Sequence, residues 1–310
     1  LYLYDSWEVR SGLWLVGGVN YSDIRYPRNF RNSPLLGGEA DYQHLAPKAG
    51  LIWQLCTNTT LRAQYSQSLG GSSFDQSISL EPTLLAGLNQ SFRSIIPESI
   101  IGAASAPRHD VVGASLEHVL PTSTYLLWEG EWLRSRVDQD FGAFVVAIAP
   151  PNTLVNLTQK SRYEELSFKA TVGQLVGDWF AVGASYRLSN ADLENRIPQL
   201  SPTAAGAFSN QEGLLHQAGL FAAFNHPSGV FGRAETWWYR QHNHGYAPDL
   251  PGDDFWQVNL KVGMRFWKRR AEASVSLLNA TGQDYRLNPL NLYQELPRSR
   301  MVAASLRFSF

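Results

Sequence analysis

Two groups of residues in this sequence could do chemistry. The first is His242-Asn243-His244, followed by Asp249, Asp253 and Asp254. Imidazoles and carboxylates on one loop form a donor set for a metal ion or a metal chelate. The same stretch also holds Gly245, Pro248, Pro251 and Gly252, which would dictate turns in a purely solvated loop. His-x-His on a strand points both rings the same way, but here the run is leaving the strand. Aromatic residues flank it: Trp237-Trp238-Tyr239 and Tyr246 could stack on a sugar or a chelate's rings, or could simply pack as girdle and loop. His242, His244, Trp238, Tyr246, Asp249 and Asp253 are therefore the candidate ligand-binding residues. The sequence leaves the metal, if any, open.

The second group is Glu129 and Glu131, sharing one face of a strand, with Glu165 and Lys169 on the next. Paired carboxylates suggest a hydrolase, but strand residues two apart merely sit side by side and nothing orders these. No G-x-S-x-G, glycine-rich phosphate loop or HExxH occurs, so no catalytic residue is assigned and an enzyme is not expected. No cofactor is expected either. The better use for such charges is to line a wet interior, where opposite signs pair and shape the field.

The elements that position them are strands. From Met301 to Phe310, Val302, Ala304, Leu306, Phe308 and Phe310 alternate with Ala303, Ser305, Arg307 and Ser309. The same period of two recurs over 165–172, 180–189 and 256–267, with one apolar and one polar face each time. Lys169, Arg187, Lys261 and Arg265 then fall with Glu129, Glu131 and Glu165 on the polar, lumen-facing side. A lipid-facing charge at mid-membrane would cost about 2–4 kcal/mol, and one register slip would put all of these charges into lipid.

Tight turns at Ser11-Gly12, Cys56 to Thr59, Pro121-Thr122, Val176 to Asp178, Pro227 to Gly229 and Lys268 to Arg270 alternate with long connections. Those connections run over 25–43, 69–108, 138–160, 190–212, 243–254 and 280–297. Short turn, long loop, short turn is the rhythm of an outer-membrane barrel. Trp14, Trp179 and Trp267 lie beside short turns, and Trp238 and Trp256 beside a long loop, as interfacial girdles require, although Trp267 takes the lumen parity. One segment departs from this pattern. Leu84, Leu85, Leu88, Phe92, Ile95 and Ile96 fall at helical spacing and Pro97 ends the run, so a short helix is expected over 83–97. It would be either a loop packed on the barrel mouth or a constriction over the lumen.

Composition agrees. Charged residues are 17% and aromatics 12% of 310, with ten tryptophans and thirteen tyrosines. No run approaches the roughly 18 apolar residues of a membrane helix. The longest apolar stretch, Phe141 to Ala149, is interrupted by Gly142 and stopped by Pro150. A net charge of -1 without a basic stripe excludes nucleic acid as a partner. Cys56 is the one cysteine, so no internal disulfide is possible, and its place beside a turn reads as incidental. The expected fold is all-β, a transmembrane antiparallel barrel with about thirteen strands over 1–310. Single-chain bacterial barrels have an even number of strands, so the odd count means either that the strands are miscounted by one or that strands are missing before Leu1, the simpler expectation.

Several motifs carry a family resemblance. Pro47-Lys48-Ala49-Gly50-Leu51, a turn, then Leu61-Arg62-Ala63-Gln64-Tyr65-Ser66 resembles the "PKxGL … LRAxYS" hairpin of TonB-dependent outer-membrane receptors. Leu80-Glu81-Pro82-Thr83 is similar to the "LxPE" that follows it there, with Thr83 departing from the usual Glu. Leu277-Leu278-Asn279-Ala280-Thr281 with Asp284-Tyr285 resembles "NLxDxxY", the terminal Phe310 fits, and Tyr2 to Val9 looks like "YxQDxWxx". Arg286 to Asn291 and Phe92 to Glu98 are similar to a subgroup with helical-repeat N-terminal extensions.

The resemblance implies the C-terminal part of a barrel of about 22 strands in a Gram-negative outer membrane, with outer-membrane lipid around it. It further implies a plug domain not present in these residues, through which the TonB energy-coupling system would act. The implied cargo is a scarce siderophore, corrinoid or oligosaccharide. The alternative is a plugless channel or exporter barrel, and a third reading is an adhesin-like structural barrel.

Overall fold

On the strand running Thr153–Val176, Glu165 is fully buried, whereas Leu166 and Phe168 are 63% and 49% exposed. A water-soluble sheet would reverse that order. The exposed apolar face must meet hydrocarbon, and the buried polar face must meet protein or water.

The computed structural model describes all residues except 30–33, 71–80, 98, 100–105, 146–152, 251, 288–289, 291–295 and 310. The end of the apolar stretch before Pro150 therefore lies outside the described residues. So do Leu80, Glu98, Asn288-Pro289, Asn291 and the terminal Phe310.

Thirteen strands form one antiparallel sheet in chain order, the number the alternation predicts. They are β1 (Tyr2–Arg10), β2 (Leu13–Asn29), β3 (Leu36–Cys56), β4 (Thr59–Leu69), β7 (Arg108–Val119), β8 (Thr124–Val145) and β9 (Thr153–Val176). β10 (Phe180–Arg196), β11 (Phe208–Asn225), β12 (Val230–His244), β13 (Asp254–Phe266), β14 (Ala271–Leu278) and β15 (Met301–Phe308) follow. β5 (Leu84–Leu85) and β6 (Leu88–Asn89) pair only with each other. Among the described residues, β1 and β15 each have a neighbour on one side only.

The register keeps every polar face on the same side. Glu131 stands opposite Ser167, Glu129 opposite Lys169, Lys169 opposite Arg187, and Arg233 opposite Lys261. The opposite side carries a belt that includes Trp128, Phe168, Val182, Leu220, Val262 and Leu306, all exposed. Aromatic residues mark its edges. At the short-turn end Trp179 packs on His226 and Phe180 on Phe224, at 4.8 and 5.0 Å between ring centroids. At the other end the indole nitrogens of Trp132 and Trp238 donate to Glu164 and Asp254 at 2.8 and 2.6 Å.

Three sequence expectations need correction. The connections 25–43 and 138–160 are largely strand, because β2, β3, β8 and β9 run far past the belt. A membrane needs about 9–11 strand residues, and β9 has 24. Beyond the belt polar and apolar residues fall on both faces, as with Asp140 and Phe144 on one and Gln139 and Phe141 on the other, so the hydrophobic alternation disappears although the hydrogen-bonded ladder continues. Second, 83–97 holds no α-helix. Ala86 and Gly87 adopt left-handed φ of 50° and 84° and turn the chain back on itself between β5 and β6. Third, Trp267 leaves the lumen parity. Its φ of 51° swings the indole out to Phe308, 6.3 Å away between centroids.

Candidate functional site

The inner wall is not left open to water. Between β4 and β7 the described residues 81–97 fold inward and are held there by two anchors. The first is polar. Lys48 on β3 has a side chain only 1% exposed, and its ammonium lies 2.9 Å from Glu81. Asn20 donates to the other Glu81 oxygen at 2.9 Å, and the Tyr4 hydroxyl donates to Glu81 as well. Lys48 also donates to Gln90 at 3.0 Å, and the Ser66 hydroxyl donates to the same Gln90 oxygen at 3.2 Å. A buried ammonium is tolerable only with such a full set of acceptors. Burial works against ionisation of Glu81, but the bonds from Tyr4, Lys48 and Asn20 outweigh it and hold the carboxyl below its ordinary range.

The second anchor is mixed. Arg93 pairs with Glu131, to which Arg187 also lies close at 3.8 Å. The backbone amide of Ile95 donates to the Tyr163 hydroxyl at 3.1 Å and to Glu165 at 3.3 Å, while Tyr163 itself donates to Glu165. Phe92 stacks on His109 at 4.0 Å. Ile95 and Ile96 then bury against Tyr163, Ala191, Leu193, Leu215 and Leu290. A second apolar cluster, Tyr239, Phe255, Tyr285 and Leu287, fixes the start of the segment between β14 and β15 on the same wall.

Of the seven charges placed on the polar face, five gather on β8–β10. Lys169 pairs with Glu129 at 2.7 Å, Arg187 approaches Glu131, and Glu165 is enclosed by Tyr163 and Ile95. Lys261 and Arg265 stand apart on β13 and share Glu272, at 3.8 and 3.0 Å. Sequence reasoning missed Lys48, Glu81, Gln90, Arg93, Tyr163 and Glu272. Lys48 and Glu81 were visible as motif residues, but nothing in the chain order pairs them.

The outer loop is a separate place. His242, His244, Asp249 and Asp253 line one cavity of about 790 Å³ with Arg240 and Asp254. Asp253 is already engaged, accepting from the backbone amides of Asp254 at 2.9 Å and Arg286 at 2.5 Å. Trp238 lies on the outer face against Trp256, 6.4 Å between centroids, and Tyr246 is buried. Neither lines the cavity. Among the described residues no three His, Cys, Asp or Glu side chains are grouped to hold a metal ion.

These features define the antiparallel wall of a transmembrane β-barrel with an inward-folded connection. Residues 1–95 match the family model described as TonB dependent receptor-like, beta-barrel. No curated protein matches the chain. Three receptors stand among the solved structures that share its fold. They are the closed form of the ferric-catecholate import receptor Fiu from E. coli K12, the ferric preacinetobactin receptor BauA from Acinetobacter baumannii, and FpvA from P. aeruginosa bound to heterologous pyoverdines. Fiu gives a TM-score of 0.56 at 9% identity, over 89% of this chain and 47% of that one. BauA gives 0.57 at 9%, over 89% and 44%. FpvA gives 0.53 at 11%, over 98% and 50%. The chain thus spans about half the length of the receptors it is similar to.

Proposed function

We propose that the chain is the wall of an energised outer-membrane importer. It takes up a scarce solute of the siderophore, corrinoid or oligosaccharide class, captured at its outer loops and coupled to TonB through a plug. The observation that carries this reading is the family match over 1–95, which includes β1–β4 and the anchored start of the inward segment. A segment tied to the wall by a buried ion pair narrows the lumen, which suits gated uptake better than free diffusion. The named receptors of similar fold bind ferric siderophores, which puts that class first among the three.

The test is uptake in Gram-negative cells with and without the gene, using labelled ferric siderophores, a corrinoid and an oligosaccharide. Uptake of one class that needs the gene and stops on adding an uncoupler supports the proposal. Uptake that continues unchanged with the uncoupler overturns it in favour of a plugless channel.

A further inference from the structure

The six short turns are not alike in charge. Ser11-Gly12, Thr57-Asn58, Pro121 to Ser123, Gly177 to Trp179 and Pro227 to Gly229 together hold one charged residue, Asp178. The turn from Trp267 to Arg270 holds three cations in a row, Lys268, Arg269 and Arg270. Its backbone makes this more notable. Trp267, Lys268 and Arg269 all adopt left-handed φ, at 51°, 56° and 69°. Glycine or asparagine would enter that region at lower cost. Long basic side chains therefore occupy positions where the fold alone favours small ones.

The same turn closes a cavity of about 280 Å³ lined by Arg265, Arg269, Arg270, Glu272, Arg307 and Ser309. Four guanidiniums there face one carboxylate, in a chain whose net charge is only -1. That carboxylate is already spent: Glu272 accepts from Arg265 at 3.0 Å and lies 3.8 Å from Lys261. Arg265 is fixed further by donating to Asn225 at 3.0 Å and lying over the Phe231 ring at 4.2 Å. Among the described residues Arg269, Arg270 and Arg307 make no close ion pair, although Arg307 acts on Glu272 at longer range. Like charges gathered this way repel unless an anion joins them.

The register identifies which anion fits. Glu272 stands opposite both Arg265 and Arg307, so these three side chains share the inner face, away from the apolar belt. A lipid phosphate on the outer surface would not reach them. Arginine forks match planar carboxylates two bonds at a time, and the excess of three positive charges exceeds what one small anion neutralises. We infer that this cluster is a docking site for an acidic peptide segment, rich in Asp and Glu, entering from the short-turn end of the barrel. The site rests on the cavity and its charge and is independent of the cargo. That the segment comes from the periplasmic side rests on the general orientation of outer-membrane barrels, which turn their short connections to the periplasm, and on the importer proposed above.

The test uses the natural full-length protein in detergent and fluorescence anisotropy. The probes are a fluorescein-labelled peptide of alternating Asp and Glu, about twelve residues long, and its Asn/Gln counterpart. Saturable binding of the acidic peptide alone, weakened by added salt, is expected. The double variant Arg269→Gln/Arg270→Gln should weaken it by roughly tenfold or more, and Arg307→Gln should do likewise. Lys160→Gln/Arg196→Gln, at the other end, should leave it unchanged. Heat-modifiable gel mobility reports that each variant remains a folded barrel. The inference is overturned if Arg269→Gln/Arg270→Gln binds as tightly as the wild type, or if no saturable binding occurs at low salt. It is equally overturned if inorganic pyrophosphate displaces the peptide at matched concentration, since the site would then be one for small free anions. None of these outcomes bears on energy-dependent uptake, so the two proposals fail separately.

Discussion

The ammonium of Lys48 and the carboxylate of Glu81 meet 2.9 Å apart, one on the barrel wall and the other on the segment folded inside it. Thirty-three positions separate them in the chain, so the pair fixes tertiary and not local structure. Removing one partner leaves the other buried without its counter-charge, a loss of about 3–5 kcal/mol. Lys48→Ala and Glu81→Ala should each free the segment 81–97 from the wall. Limited proteolysis of the folded barrel would detect this as new cleavage within the segment. The double variant Lys48→Met/Glu81→Leu should be less damaged than the two single losses added together. Additive damage would mean that the two groups do not act as a pair.

The same contact has a pH dependence of known sign. Its carboxyl sits below the usual value of 4.5 in the folded protein. A depressed folded pKa adds stability that is fully present above the unfolded pKa and is lost as pH falls through the folded one. The anchored state should therefore be unchanged from neutral pH down to about 5 and loosen only in more acid solution. A fluorophore on Ser91→Cys, in a Cys56→Ser background, reports this through iodide quenching. Rising access between pH 7 and 5 would show that Glu81 is not the group that holds the segment.

Gly50 tests the fit of the segment by shape. A Cβ built at Gly50 would lie 2.8 Å from the Ala86 Cβ and 3.4 Å from Leu85 Cγ. No left-handed backbone is involved, so the glycine is required by close approach alone. Gly50→Val should displace the β5–β6 turn at a cost of about 1–3 kcal/mol while leaving the thirteen-stranded sheet intact. Protease access to 81–97 should rise with no change in heat-modifiable mobility. Loss of the folded band instead would show that Gly50 serves the sheet itself.

Much of this was legible in the sequence, for a physical reason. Alternation of Leu166 and Phe168 with Glu165 and Lys169 fixes both strand and face, because only one register keeps the charges out of lipid. The outer halves of β8 and β9 were not legible as strand. Over 138–145 and 153–160, Asp138, Gln139 and Asp140 run into Phe141, and Leu157, Thr158 and Gln159 follow one another, so polar and apolar residues fall on both faces and no alternation marks the strand. The helical spacing of Leu85, Ile95 and Ile96 was real as burial but wrong as a helix. These residues touch the wall at separate points along a folded-back chain. Of the outer-loop residues, four of six line one cavity, while Trp238 and Tyr246 belong to packing. The inner anchors could not be read, because Lys48 and Glu81, or Arg93 and Glu131, are matched only by three-dimensional register.

The inside-out character of the sheet gives a sharper test with two neighbouring substitutions on one strand. Phe168 faces the belt, 49% exposed, and Thr171 faces the interior, where its hydroxyl donates to Ser185 at 3.3 Å. The two positions differ by three residues, about 10 Å along the strand, and lie on opposite faces within the same belt. Phe168→Arg would place a guanidinium in hydrocarbon, at a cost of about 2–4 kcal/mol near the midplane. Thr171→Arg would place the same group beside a polar wall that already carries Lys169 and Glu129, and loses only one weak hydrogen bond. Urea unfolding in lipid vesicles should therefore show a marked loss for Phe168→Arg and less than about 1 kcal/mol for Thr171→Arg. In a water-soluble sheet the order would reverse, since arginine at the exposed Phe168 position would be solvated and arginine at Thr171 would not. Measuring that reversed order would remove the membrane barrel itself.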